Sequence, residues 1–225
     1  MPARDSRGAT EARAPLTRER ILRAAMGVAD ERGVGAVTMR AVASRLEVEA
    51  MSLYNHVQNK DAILDGMVDL VVDEIDLPTD AEDWREAMRR RAISAQRAFA
   101  RHPWAPALMD ARTTSGPARL RYFDWVLGTL MDAGFSLEAA SRCFSVLDSY
   151  IYGFGRQQLS AGAGTSPEEM AEAMLSAVPA DEYPHLHRMV LLAMDSGYDA
   201  EADFAFGLDV VLEGLRQVLS TEPSG

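Results

Sequence analysis

Four side chains with hydrogen-bonding heads, Ser52, Tyr54, Asn55 and His56, crowd into one short run whose apolar members, Leu53 and Val57, stand four residues apart. On a helix that spacing turns Leu53 and Val57 inward and leaves the hydroxyl, phenol, amide and imidazole pointing elsewhere, with Ala50 and Met51 beside them. Such groups donate to phosphate oxygens and touch base edges. A solvated helix with no partner more often carries alternating charges. Arg40 upstream and Lys60 downstream are cations suited to anchoring phosphate, and Thr38 is placed to cap the helix that begins at residue 39. The chemistry in view is non-covalent recognition of a nucleic-acid groove. The same composition also fits a small surface helix in a bundle.

No set suited to covalent chemistry competes with this reading. The chain has no glycine-rich phosphate loop, no nucleophile elbow and no Cys/His pairing that the spacing supports, so it is not read as an enzyme. His102, beside Pro103, reads as structural, and His185 and His187 stand two apart, which puts their rings on different faces of a helix. No metal and no cofactor is expected. Cys143 is the single cysteine and cannot form an internal disulfide; it reads as a small buried apolar residue rather than a redox sensor. With no signal peptide and no apolar run of about 18 residues, a cytoplasmic protein outside the membrane is expected.

The net charge of −11 argues against nucleic acid only until it is divided along the chain. Residues 1–60 hold ten Arg/Lys and seven Asp/Glu, whereas residues 61–225 hold thirteen and twenty-seven. An acidic body is pushed from phosphate while the basic end is drawn in, which orients the molecule as well as binding it.

The elements that must position these groups are all helical. Residues 1–15, with Arg4, Arg7 and Arg13, form a disordered arm that either reaches a minor groove or is an inert tail. A helix over 17–32 turns Ile21, Ala24, Ala25, Val28 and Ala29 to one side and stops at Gly33. Met39, Val42, Ala43 and Leu46 give the next helix its apolar face, residues 47–49 turn the chain, and 50–57 form the reading helix. Asn59 caps a helix over 60–76 with Leu64, Val68, Val71 and Ile75 in a stripe. Its Asp61, Asp65, Asp69 and Asp73 share another face and are expected to meet the arginines of a following helix, capped by Asp80 and spanning 84–102, or else to remain a solvated acidic face. Further helices are expected over 117–133, ended by Gly134; from the cap Ser136 to 160; from a capping box at 166–169 after a loose AGAGTSP loop; and over 184–195 and 200–219. In the last, Phe204, Leu208, Val211, Leu215 and Val218 form a seam that requires another helix. No strand-like alternation and no repeat of 20–50 residues is present, so the class is all-α.

Residues 16–64 closely resemble the DNA-binding domain of the tetracycline-repressor (TetR) family of transcriptional regulators. The match includes Gly33, the T-x-R-x-[VL]-A pattern at Thr38, Arg40, Val42 and Ala43, the L-Y-x-H-[VF] run from Leu53 to Val57, and Asn59-Lys60. One departure is Glu47, where the family usually has glycine because a left-handed backbone there costs about 1 kcal/mol with a Cβ. AGFSL at 133–137 and F-x-F-G-L-x5-G-L from Phe204 to Leu215 are similar to the C-terminal domain of the tetracycline-repressor subgroup. The resemblance implies a helix-turn-helix domain over 16–62, an effector-binding and dimerisation domain over 63–225, a homodimer and a palindromic operator in double-stranded DNA. It places Thr38, Arg40, Ala50, Met51, Ser52, Tyr54, Asn55, His56 and Lys60 at DNA.

For the effector, the subgroup's metal-ligating imidazole, its supporting glutamate and its drug-gripping asparagine fall near Asp110, Gln157 and Arg91, so a tetracycline–metal chelate is not expected. Phe123, Val126 and Phe144, with Ala95, instead suggest an apolar cavity for a small, mainly lipophilic molecule, with Asp76 at the hinge beside it. The alternative is a DNA-bound factor on the same fold that contacts another protein and takes no small molecule.

Overall fold

The computed structural model describes residues 15–112, 116–161, 167–196 and 199–222, and all regular structure among them is helical. The expected arm apart from Pro15, the Ser166 cap and most of the AGAGTSP loop lie outside the described residues. Helix α1 (Arg18–Arg32) starts where Thr17 accepts the Arg20 N–H and ends at Gly33, whose φ of 79° suits a residue without Cβ. A 3-10 turn (Val34–Ala36) leads to α2 (Met39–Leu46) and α3 (Ala50–Leu53). Helix α4 (Lys60–Asp73) begins at Asn59, whose side chain accepts the Ala62 N–H at 2.8 Å. It crosses α1 so closely at Gly66 that a Cβ there would stand 2.6 Å from a Leu22 methyl.

The body consists of α5 (Trp84–Arg101), α6 (Ala105–Asp110), α7 (Pro117–Asp132), α8 (Leu137–Ala161), α9 (Pro167–Ala177), α10 (Pro184–Ser196) and α11 (Ala200–Ser220). Helix α5 packs on α7, α8 and α11, whereas α9 and α10 pack on each other. A continuous apolar core runs from Ile21 and Val28 in α1 through Met67 and Val71 in α4 to Met88, Val126, Leu147 and Leu208 in the body. Helix α4 therefore belongs to both halves. No helix among the described residues is long and apolar enough to cross a membrane.

Several expected boundaries move. Helix α3 stops at Leu53 rather than running to Val57, because Tyr54 N–H turns back to Met51 O and His56 N–H to Leu53 O, tighter bonds that the weak helix formers Asn55 and His56 tolerate. Helix α4 ends at Asp73 instead of Asp76; the Asp76 N–H is taken by Ser94 Oγ at 2.9 Å, across to α5. Asp83, not Asp80, caps α5, accepting the Glu86 N–H at 2.9 Å from an extended backbone immediately before the helix. Asp80 instead pairs with Arg90 at 2.9 Å, which holds its carboxyl below the usual range.

The acidic ladder of α4 is matched, though not by α5. Arg112 pairs with Asp61 at 3.2 Å and with Asp65, Asp69 accepts the Arg119 backbone N–H at 3.0 Å, and Arg121 reaches Asp73 at 2.6 Å. The α5 arginines turn mostly elsewhere: Arg85, Arg89 and Arg97 meet Glu213, Asp209 and Glu201 of α11.

Candidate nucleic-acid interface and effector domain

The interface is built on an apolar footing. Val42, Ala43, Leu53 and Val57 are buried where α2 packs on α1 and α3 on α2. Thr38 Oγ1 accepts the Ala41 N–H at 3.1 Å, so the sequence-expected cap forms and this oxygen is committed to positioning α2. At the turn Glu47 is left-handed, with φ 53° and ψ 43°. Its N–H bonds to Ser44 O and the Val48 N–H bonds back to Ala43 O at 3.0 Å, which is the Schellman pattern that a helix end adopts around a left-handed residue. The geometry that the family's glycine would provide is thus retained by glutamate.

The residues expected at DNA lie around this turn. Met51 is 75% exposed and Tyr54 48%; Asn55 and His56 are exposed, and Ala50 and Ser52 half-buried. Arg40 and Lys60 are exposed, and among the described residues neither is in an ion pair, whereas Arg45 is bound to Glu31 at 2.7 Å. Two cations outside any ion pair among the described residues thus flank a polar surface, the arrangement that phosphate anchoring and groove contact require.

A second cluster ties this head to the body. His102, nearly buried at the end of α5, approaches Asp30 of α1 through Nδ1 at 2.8 Å and Glu74, just past α4, through Nε2 at 3.3 Å. Trp104 Nε1 donates to the same Asp30 oxygen at 2.6 Å and Arg101 to Glu74 at 2.7 Å. Sequence reasoning read His102 as structural from its neighbour Pro103; nothing local pointed to Asp30, 72 positions away.

The residues expected around an effector divide into two sets. Ala95 and Val126 are fully buried, and Phe123 and Phe144 are half-buried with ring centroids 5.3 Å apart, edge to face. Arg91 is fully buried too. Asp110 and Gln157 are on the surface, the former 3.5 Å from Arg156, whereas Arg91 lies in the interior. Asp76 lies apart from them, on a cleft of ≈ 420 Å³ that the end of α4 shares with Ala118 and Arg121. A further cleft of ≈ 390 Å³ runs along α8 and α11, between Ala139, Cys143, Val146, Leu215 and Val218.

A helical body carrying a helix-turn-helix head, with a polar surface between exposed cations, defines a DNA-binding regulator. The chain belongs to the tetR family of bacterial regulatory proteins, whose description matches residues 21–67, while residues 77–219 match the tetracyclin repressor-like C-terminal domain. It is 33% identical to an HTH-type transcriptional regulator of Saccharopolyspora erythraea over 92% of this chain and 87% of that one. To the HTH-type transcriptional repressor DrrR1 of Streptomyces coeruleorubidus it is 31% identical, over 91% of this chain and 79% of that one. The structure is similar to that of the Streptomyces coelicolor TetR family protein ActR in complex with actinorhodin, with a TM-score of 0.78 at 26% identity, covering 91% and 97% of the two chains. The chain is a DNA-binding transcriptional regulator.

Proposed function

We propose that the protein is a repressor which binds a palindromic operator as a homodimer and is released from it by a small, mainly lipophilic effector held in the body. The observation that carries the DNA half of this reading is the exposed Tyr54, Asn55 and His56 surface, seated on the buried Leu53 and Val57 and flanked by Arg40 and Lys60, exposed and in no ion pair among the described residues. Repression is supported by the likeness to DrrR1, and effector binding by the likeness to ActR, which was solved with actinorhodin.

One reading helix gives little specificity, and two heads address successive major grooves when they stand about 34–36 Å apart. The exposed apolar side chains Val146, Phe206, Val210 and Val218 on α8 and α11 supply a face for a second copy. The effector-domain assignment rests on the buried Ala95 and Val126 and the half-buried Phe123 and Phe144, with Asp76 three residues past the end of α4. Because α4 starts beneath the reading surface and ends at the Asp76 cleft, an effector that displaces its C-terminal end changes the separation of the heads. Reversing a 99:1 population needs about 10⁴-fold preference, about 5.5 kcal/mol, which burial of a modest apolar ligand supplies.

The test is operator selection from random DNA, followed by titration with variants. Tyr54→Ala and Lys60→Ala are expected to weaken every operator, with the lysine change reducing the salt slope by about one unit, whereas Asn55→Ala relaxes base choice by about 1–3 kcal/mol. Unchanged affinity in a folded Tyr54→Ala dimer would refute the interface.

A further inference from the structure

Arg91 has no contact with solvent, and only one edge of its guanidinium is bonded. Nη1 donates to Asp148 Oδ1 at 3.0 Å and to the Tyr122 hydroxyl. That hydroxyl donates to Asp148 Oδ1 at 2.9 Å, and the Tyr152 hydroxyl to Asp148 Oδ2 at 2.9 Å. Burial disfavours the guanidinium charge, and the neighbouring Tyr122 and Asp148 more than offset it, so Arg91 stays charged. Nε and Nη2, both buried, have no hydrogen-bond partner among the described residues. They form the guanidinium edge whose N–H bonds run parallel, the edge that grips acceptors two-pronged. Buried polar groups are nearly always hydrogen-bonded, to the protein itself or to a small molecule held beside it.

We propose that the free edge of Arg91 is the polar anchor of the effector site, and that the effector it selects is an uncharged aromatic molecule bearing a carbonyl acceptor. This rests on the ligand-released reading above and names the ligand's chemistry. The acceptor is uncharged because Asp148 already cancels the arginine, and a ligand carboxylate would leave a net negative charge in the interior. The ligand is aromatic because the surroundings are: the guanidinium carbon stands 5.0 Å from the Tyr122 ring centroid, Tyr122 meets Phe123 and Phe144 at 5.9 and 6.4 Å, and those two rings are only half-buried. The hydroxyls of Tyr122 and Tyr152, both driven well above the usual phenol range by burial, remain protonated donors to Asp148 and keep the anchor's charge balance fixed.

Three matched probes separate the possibilities: 1-acetonaphthone, 1-ethylnaphthalene and 1-naphthoate, titrated into the full-length protein by calorimetry and thermal shift. The ketone is expected to bind at least tenfold more tightly than the hydrocarbon and than the carboxylate. The ketone's advantage is expected to disappear in Arg91→Lys, which keeps the charge without the parallel edge. It also disappears in the double variant Arg91→Met with Asp148→Asn, which removes both charges together so that neither is left buried alone; cooperative unfolding of each variant reports that it folds.

Equal binding of hydrocarbon and ketone, tighter binding of the carboxylate, an undiminished ketone preference in a folded variant, or no binding of any probe would each overturn the anchor. Operator binding by the wild-type protein, measured in parallel, reports on the underlying reading separately. A protein that binds operator but fails the probe test loses only the anchor, and one that passes the probe test without selecting DNA loses the regulator reading instead.

Discussion

Replacing His102 with alanine tests whether the head is held to the body through a single imidazole. The ring joins Asp30 of α1 to Glu74 beyond α4, and a hydrogen bond to a charged group contributes about 1.5–3 kcal/mol net. Only the 2.8 Å contact to Asp30 has the length of a strong bond; the 3.3 Å contact to Glu74 is weaker. Both carboxylates are about a third exposed, at 30% and 32%, and each keeps another donor, Trp104 or Arg101. They therefore rehydrate in the variant instead of being stranded, and the expected cost lies at the low end, about 1.5–2 kcal/mol. At about 2–4 °C per kcal/mol for a chain of this size, the melting temperature falls by about 3–8 °C at fixed protein concentration. The lost bonds join head to body, so operator affinity falls with stability, and each 1.4 kcal/mol of lost coupling is about tenfold. Circular dichroism melts and fluorescence anisotropy on the selected operator measure the two effects. The comparison is Arg101→Ala, which removes a more exposed partner of Glu74 and is expected to cost under about 1 kcal/mol. A His102→Ala protein indistinguishable from its parent in both assays would show that α1 and α4 are held together without the imidazole.

Three further outcomes follow from the same coordinates. Phe206→Glu places a charge where the side chain is 74% exposed on α11, and is expected to yield folded monomers by sedimentation that no longer bind a palindrome; a persisting dimer would move the interface elsewhere. Leu215 is unsuitable for that test, since it is already buried within the protomer and a charge there is expected to unfold it. Glu47→Gly relieves the left-handed backbone and is expected to raise stability by about 0.5–1 kcal/mol in urea unfolding, the larger unfolded-state entropy of glycine offsetting part of the gain; a destabilised variant would show that the glutamate side chain contributes more than its backbone costs. Cys143 is 3% exposed and burial, then Glu222, raises its thiol pKa, so the thiolate forms only above the usual pH. It is expected to react with a disulfide reagent at neutral pH only slowly until the protein is unfolded, and rapid native-state labelling would reopen the redox reading.

What the sequence determined by itself is the short-range part of this protein. Thr17, Thr38, Asn59 and Ser136 cap their helices as their types imply, because a cap is a bond to an N–H three residues on. The inward turn of Leu53 and Val57 was legible for the same reason, being set within a few residues by helical spacing, whereas the left-handed turn at Glu47 was expected only from the family's usual glycine there. The exposed polar surface of the head follows from those local facts. The tertiary structure alone decided which charges meet. Four aspartates on α4 announced a cationic partner, but whether it would be α5 or the segment from Arg112 to Arg121 depends on how helices 40–60 residues apart pack, and no local signal encodes that. Arg91 and Asp148 are 57 positions apart, and His102 and Asp30 are 72. None of these four residues names its partner until packing removes much of the water around them. Burial then makes an unmet hydrogen bond costly and a met one specific, which is how the interior came to hold the two clusters that spacing along the chain could not reveal.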